Sequence, residues 1–137
     1  MGQQQLLLII LGTIIVGIAI SVAIIIYNDS LITNNRDDIQ NDLAFIAARA
    51  QEYYFRPASM AGGGHSFVGL SADAAGMAKI VSPEFSNNDH GTYTVQTAGD
   101  ASLVILQAVG KVELANGTFP TYYCRVRDRK YLIQLIN

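Results

Sequence analysis

Hydrophobic and polar positions divide the chain into an uncharged first part and a remainder of mixed polarity. Residues 6–27 read LLLIILGTIIVGIAISVAIIIY, and the first charged side chain is Asp29. As an α-helix rising about 1.5 Å per residue, this run covers roughly 33 Å, enough for the hydrocarbon core of a bilayer. We call residues 6–27 the apolar segment. Its composition predicts a helix that needs an apolar environment around its whole circumference.

After residue 28 the apolar positions narrow to one helical stripe. The spacing of seven, four, three, four and three residues is that of a helix with one buried face, and its members are Ile32, Ile39, Leu43, Ile46, Ala50 and Tyr53. Neither Gly nor Pro lies between Asn28 and Arg56, and Pro57 is a stop signal. The pattern predicts one continuous helix of about fifty residues, roughly 75 Å long. Residues 1–28 form its apolar part, and residues 29–56 form its amphipathic continuation.

The C-terminal part, residues 57–137, has the pattern of a small β-structure. Runs of β-branched and aromatic residues at 92–97, 102–112, 118–127 and 131–136 are separated by short polar turns. Within 118–127, Tyr122, Cys124 and Val126 alternate with more polar neighbours, which predicts one buried and one solvated face. A Gly-rich stretch at 61–67 predicts a flexible connection, and 72–79 a short helix. The predicted fold class is α+β: a long helix packed on an antiparallel sheet of about four strands. Its contacts with that sheet are expected from Ile39, Leu43, Ile46 and Tyr53.

Small residues recur at helical spacing within the apolar segment. Thr13, Gly17 and Ser21 follow one another every four residues, a spacing that allows helix backbones to approach closely in an apolar medium. We therefore predict that this segment packs against copies of itself. The candidate packing residues are Leu6, Leu7, Ile10, Thr13, Ile14, Gly17, Ser21 and Ile24.

Two other interpretations of the apolar segment are a cleaved secretory signal and an ordinary membrane anchor. A signal peptide has a basic n-region, a shorter apolar core and a small-residue cleavage site, and the segment has none of these. An anchor usually carries Lys or Arg at its cytoplasmic end. Here the flanks read MGQQQ and NDS, without a basic residue. The anchor is the stronger of these two alternatives.

Composition gives little indication of catalysis or nucleic-acid binding. The net charge is −2 and the nine basic residues are scattered, without the basic face of a nucleic-acid binder. His65 and His90 stand among turn residues without a metal-ligand spacing, which indicates exposed loop positions. His65 and Ser66 have no placed acid to complete a triad, and Asp73, Glu84 and Asp89 are ordinary loop carboxylates. We therefore expect no enzyme activity, cofactor or metal.

Three smaller features of the sequence are a single cysteine, two glycosylation patterns and a basic cluster. Cys124 is alone, and an isolated Cys in an apolar strand is predicted to be a small buried side chain. Asn28 and Asn116 begin N-glycosylation patterns. The one basic cluster is interpreted either as a solvated strand face and turn or as a salt-bridge surface between subunits; it comprises Arg125, Arg127, Arg129 and Lys130.

The uncharged N-terminal helix, its amphipathic extension, a Gly-containing loop and a C-terminal antiparallel sheet together resemble type IV pilins and the pseudopilins of type II secretion. The resemblance covers the whole chain in architecture, and its sequence similarity is concentrated in residues 3–28. It implies the major subunit of an extracellular helical filament built from identical copies. It also implies an inner-membrane location before assembly, with a prepilin peptidase and inner-membrane assembly machinery as partners. A pseudopilin of a secretion machine and a membrane-anchored binding module are the alternatives.

The resemblance also directs attention to the N-terminus. It implies processing and modification such as methylation at Met1 or, if cleavage follows Gly2, at Gln3. Family members usually carry Glu at the fifth mature position, where it is thought to pair with the N-terminal amine of a neighbouring subunit. With Met1 as the mature terminus, that position is Gln5, which accepts a hydrogen bond but cannot neutralise an ammonium group. The family's proline within the helix is also missing, so local melting would depend on Gly12 or Gly17.

Overall fold

A computed structural model describes residues 2–136 and contains one long N-terminal helix. Helix α1 runs without interruption from Gly2 to Phe55. Its continuity follows from the lack of Gly and Pro between residues 28 and 56, since neither residue's backbone effect interrupts the hydrogen-bond ladder there. The predicted continuous helix is therefore confirmed.

The end of α1 is closed by the Gly-rich loop that follows it. The backbone N–H groups of Gly63, Gly64 and His65 donate to carbonyl groups of the last helical turns at 2.7–3.0 Å, satisfying acceptors that a helix end leaves unpaired. A Cβ at Gly63 would lie 1.9 Å from the carbonyl oxygen of Ser66, so only glycine fits. The sequence predicted a flexible connection here, whereas the structure shows a hydrogen-bonded cap.

Short helical turns connect α1 to the sheet. A 3₁₀ turn spans Ala58–Met60, helix α2 spans Ala74–Ala78 and helix α3 spans Pro83–Ser86. The side chain of Asp73 caps α2 by accepting from the N–H of Gly76 at 2.9 Å. Ser82 caps α3 in the same way, with Pro83 in the first helical position. Helix α2 lies inside the predicted range 72–79, and α3 was not predicted.

Four strands form one antiparallel sheet in the order β1-β2-β3-β4. Their bounds are Gly91–Thr97, Val104–Gly110, Thr121–Val126 and Tyr131–Leu135. Each strand pairs with the next along the chain, as short turns favour. The alternation predicted for β3 is present, because Tyr122, Cys124 and Val126 are buried and Arg125 is exposed. The α+β fold predicted from the sequence is confirmed.

The structure separates into two compact units at residue 33. The first ends at Thr33 and consists of helix alone, whereas the second, Asn34–Asn137, contains the rest of α1 and the whole sheet. We call Asn34–Asn137 the head unit. From the sequence, boundaries between parts of the chain were predicted at residues 28/29 and 56/57. The observed division at 33/34 falls within the predicted amphipathic part.

One face of α1 supplies part of the core of the head unit. Ile39, Leu43 and Ile46 are fully buried and Tyr53 is nearly so, and all four belong to one cluster with the inward side chains of the sheet. Helix and sheet approach closely at Gly110, where a Cβ would lie 2.8 Å from Cδ1 of Ile39. Burying such side chains stabilises a fold by about 1.5–3 kcal/mol each. The amphipathic half of α1 is therefore an integral element of the head unit.

Candidate functional site

The apolar segment exposes large hydrophobic side chains on every side of α1. Its Leu, Ile and Val side chains are about half to two-thirds exposed, and none of its most apolar stretch is buried. By length and composition, α1 is able to cross a membrane. So much exposed apolar surface requires lipid or other apolar helices around it. The predicted packing residues all lie on this surface; they are Leu6, Leu7, Ile10, Thr13, Ile14, Gly17, Ser21 and Ile24.

The two aliphatic hydroxyl groups of the apolar segment are bonded to the helix itself. The hydroxyl group of Thr13 donates to the carbonyl oxygen of Ile10 at 2.8 Å, and that of Ser21 donates to Gly17 at 2.9 Å. In an apolar medium an unpaired hydroxyl group costs several kcal/mol, roughly 4–8 against cyclohexane. These internal bonds therefore allow both side chains to face lipid or a neighbouring helix.

Glycines open two places on this surface to close approach. A Cβ at Gly12 or Gly17 would meet nothing within 4 Å, so the backbone is uncovered there. Gly17 continues the Thr13–Ser21 series, which makes it the centre of the small-residue face. Of the two processing candidates, Gln3 is an exposed helical residue. Met1 lies outside the described residues.

A polar cluster that the sequence analysis did not anticipate surrounds Asp42 in the head unit. One carboxylate oxygen, Oδ2, accepts from the hydroxyl group of Tyr93 at 2.7 Å and from the side-chain amide of Asn88 at 2.9 Å. Nδ1 of His90 lies 2.9 Å from the same oxygen. A second helical residue, Asn35, donates to the carbonyl oxygen of His90 at 2.7 Å. The cluster fastens α1 to the chain that enters β1.

His90 is a loop residue with an exposed side chain, as predicted, but it has partners that the sequence did not indicate. Its side chain is 43% exposed. Its ring nevertheless bonds Asp42 and lies 3.8 Å from a carboxylate oxygen of Asp38. These partners are 48 and 52 residues away in sequence, so no local spacing could reveal them. The only local signal was a pair of acids, at 38 and 42, one helical turn apart.

The cluster shifts the pKa values of Asp42, His90 and Tyr93. Burial alone would raise the pKa of the Asp42 carboxyl group, but hydrogen bonds from Tyr93, His90 and Asn88 outweigh burial and lower it. The hydrogen bond with Asp42 is the main cause that raises the pKa of His90, and the charges of Asp38 and Asp89 add to it. Burial, followed by the bond to Asp42, raises the pKa of Tyr93. Both shifts favour the charged form of their group: the lowered pKa of Asp42 favours its carboxylate, and the raised pKa of His90 favours its imidazolium.

Stability of the head unit should therefore be greatest in mildly acidic solution. The contribution of Asp42 is present above its ordinary pKa of 3.8 and is lost as the pH falls through its lowered value. That of His90 is present below its ordinary pKa of 6.5 and is lost as the pH rises through its raised value. We expect the urea midpoint for unfolding of the full chain, measured in a non-ionic detergent, to be highest between pH 3.8 and pH 6.5.

Two variants separate the arms of this pH profile. His90→Gln should remove the loss on the alkaline side while keeping the acid arm, because Asp42 retains Tyr93 and Asn88 as donors. Asp42→Asn should remove the loss of stability on both the acidic and the alkaline side. A wild-type profile that either variant leaves unchanged would show that the cluster does not govern stability.

The remaining candidates of the sequence analysis are not brought together. The ring of His65 packs edge-on against Tyr54, and the hydroxyl group of Ser66 accepts from the N–H of Val68. Asp73 caps α2, while Glu84 lies in the first turn of α3. Among residues 2–136, the His, Cys, Asp and Glu side chains form no group of three that could hold a metal ion.

Cys124 is fully buried in β3, as predicted, and burial raises the pKa of its thiol to about 12.

The helix and sheet together are compatible with a pilin-like fold. Comparison with known protein families, with curated proteins and with solved structures gives no match.

Proposed function

We propose that this chain is the major subunit of an extracellular type IV pilus-like filament. In this role, the apolar segments of many copies pack together as the filament core, and the head units form its outer surface. The observation that carries the proposal is the segment itself: an uncharged helical surface, exposed all round, in which the hydroxyl groups of Thr13 and Ser21 are bonded to the helix backbone. Close packing with identical helices removes this surface from water without leaving those two hydroxyl groups unpaired.

The continuity of α1 supports the filament role over that of a simple anchor. An anchor needs only a span and a tether, whereas here the spanning helix is also part of the core of the head unit. Flanks that carry no basic residue, MGQQQ and NDS, are also untypical of an anchor oriented by basic residues. A structural role of this kind requires no catalytic group.

Before assembly, the same segment is proposed to hold the subunit in the inner membrane. A prepilin peptidase and an inner-membrane assembly machine are the partners implied by the pilin resemblance. Processing would expose either Met1 or Gln3 as the terminal amine. With Met1 as the terminus, Gln5 offers a neutral acceptor to the amine of a neighbouring copy.

Electron microscopy of material sheared from producing cells, with mass spectrometry of the intact subunit, tests the proposal. We expect long filaments composed of this chain, with one defined N-terminus at Met1 or Gln3. Protein confined to the membrane fraction, without fibres even on overproduction, would contradict the major-pilin role. Short fibres formed only on overproduction would favour a pseudopilin. Specific ligand capture by a chain that forms no fibres would favour the anchored binding module.

A further inference from the structure

Charges in the head unit are separated along the helix axis. One end of the unit is marked by contacts of Asn35 with His90 and with Gly110, and the other by a hydrogen bond from Gln51 to the carbonyl oxygen of Arg127. Asn35 and Gln51 are sixteen positions apart on α1, so the two ends are roughly 24 Å apart along the helix. We call them the acidic end and the basic end.

The two ends carry opposite net charges, and Glu84 in α3 is counted with neither end. At the acidic end, five carboxylates outnumber two cations and leave a net charge of −3 with His90 neutral; the residues are Asp37, Asp38, Asp42, Asp89, Glu113, Arg36 and Lys111. At the basic end, seven cations outnumber four carboxylates and leave +3; the residues are Arg49, Arg56, Lys79, Arg125, Arg127, Arg129, Lys130, Glu52, Asp73, Asp100 and Asp128. A net charge of −2 for the whole chain conceals this separation.

A groove with cationic and apolar walls lies at the basic end. It is lined by Arg125, Arg127, Lys130, Tyr131 and Leu132, and Tyr131 and Leu132 are 44% and 60% exposed. Within residues 2–136, none of its three cationic side chains forms an ion pair. We call this surface the basic groove. It combines positive side chains that form no close ion pair with an exposed apolar wall, as protein interfaces often do.

Strand β4 is an edge strand of the sheet, and its first residues, Tyr131 and Leu132, line the basic groove. It pairs with β3 on one side, and within the described chain no strand pairs with its other side. Its residues are mostly exposed on both faces although four of the five are apolar. Soluble proteins usually protect such an edge with charges or cover it, because it readily pairs with other chains. The apolar wall of the basic groove is thus continuous with an edge that favours association.

We propose that the basic groove binds the acidic end of the head unit of a second copy of this chain. Charge complementarity within one chain identifies the partner, since the copy offers a matching net negative surface. The 111–120 loop at that acidic end also carries Phe119, whose side chain is 43% exposed, so this end offers apolar surface as well as charge. The contact joins two different surfaces, so it is head-to-tail, and when its rotation does not close into a ring it repeats from copy to copy as a filament. The inference rests on the proposed filament role and adds the contact between head units.

Carbodiimide cross-linking of the full chain tests the contact, because this reagent joins a carboxylate to a lysine amine only where the two touch. Lys130 lies in the basic groove, and its own acidic end is too distant for a link within one chain. In sheared filaments at low salt, we expect a ladder of dimers and higher multimers on denaturing gels. Mass spectrometry should join Lys130 to Asp37, Asp38, Asp89 or Glu113.

Matched variants identify the residue that carries the link. Lys130→Arg keeps the charge but removes the reactive amine, so the ladder should disappear while filaments persist. Lys79→Arg and Lys111→Arg should leave the ladder unchanged. Arg125→Glu with Arg127→Glu should lower its yield several-fold, as should 1 M salt, because screening acts within about 3 Å at that ionic strength. Thr94→Glu, an exposed change on β1, is the control for added surface charge.

The outcomes separate this contact from the filament itself. Filaments that give no Lys130 link to those acids, or a ladder that survives Lys130→Arg, would overturn the head-unit contact and leave the filament proposal intact. If no filaments form, the same reaction on the full chain in detergent micelles decides the contact alone. A Lys130-dependent ladder there would support it, and no ladder would reject it.

Discussion

Replacing Gly17 with leucine is expected to abolish filament formation while leaving the head unit folded. Within one chain, a Cβ at this position meets nothing within 4 Å, so the isolated subunit accommodates the larger side chain. Leucine also favours the helix over glycine by about 1 kcal/mol and remains apolar enough for a membrane. Any loss must therefore arise where a neighbouring helix approaches the small-residue face. We expect the yield of sheared filaments to fall by at least about tenfold, which corresponds to 1.4 kcal/mol per contact.

Ile18→Leu provides the matched control for Gly17→Leu. It places the same side chain one position along the same helix, where a large apolar residue is already 60% exposed. Filament yield should remain near that of the wild type. Unfolding of the head unit in detergent should be the same in both variants and in the wild type. Normal filaments from Gly17→Leu would refute close packing at this face.

The architecture was predictable because it depends on patterns that are local in sequence. An uncharged run and an unbroken stripe of apolar residues specify α1, and Pro57 marks its end to within two residues of Phe55. Alternating burial specifies β3, and short turns require antiparallel neighbours. Strand ends were less predictable: the second strand was expected at 102–112 and spans Val104–Gly110. Hydrogen bonding of the Asp100 side chain to Ser102 and Leu103 turns the chain just before that strand.

The Asp42 cluster was not predictable, because its members come from distant parts of the sequence. Asp42 belongs to a helix whose polar residues appeared solvated, while Asn88 and His90 belong to a turn with the composition of any loop. Only the packing of α1 on the sheet brings them within 3 Å of one another. The role of the Gly-rich loop was not predictable for a related reason. Its glycines indicated flexibility, and the structure adds that Gly62 and Gly63 lie too close to the carbonyl groups of Arg56 and Ser66 for a side chain.

The apolar segment and the head unit place different demands on a filament. Hydrophobic packing between apolar segments is not screened by ions, so it can hold a filament together in any salt. It is also poorly specific, since one apolar helix resembles another. In the proposed filament, charge pairing between head units would contribute less to stability but would select the orientation and register of each added copy. The separation of charge between the acidic and basic ends suits this second task.

Leu43→Ala is expected to destabilise the head unit by about 2–5 kcal/mol, a large part of the 5–15 kcal/mol typical of a domain. Leu43 is fully buried in the cluster that joins α1 to the sheet, and truncation leaves a cavity there. Alanine is the better helix former, so the loss must come from packing and not from the helix itself. Urea unfolding of the full chain in detergent, followed by tyrosine fluorescence, measures it, since the chain has no Trp and all its tyrosines except Tyr27 lie in the head unit. Leu31→Ala makes the same change at a 39% exposed position of α1 and should cost under about 1 kcal/mol. Equal losses from the two variants would show that α1 does not serve as part of the core of the head unit.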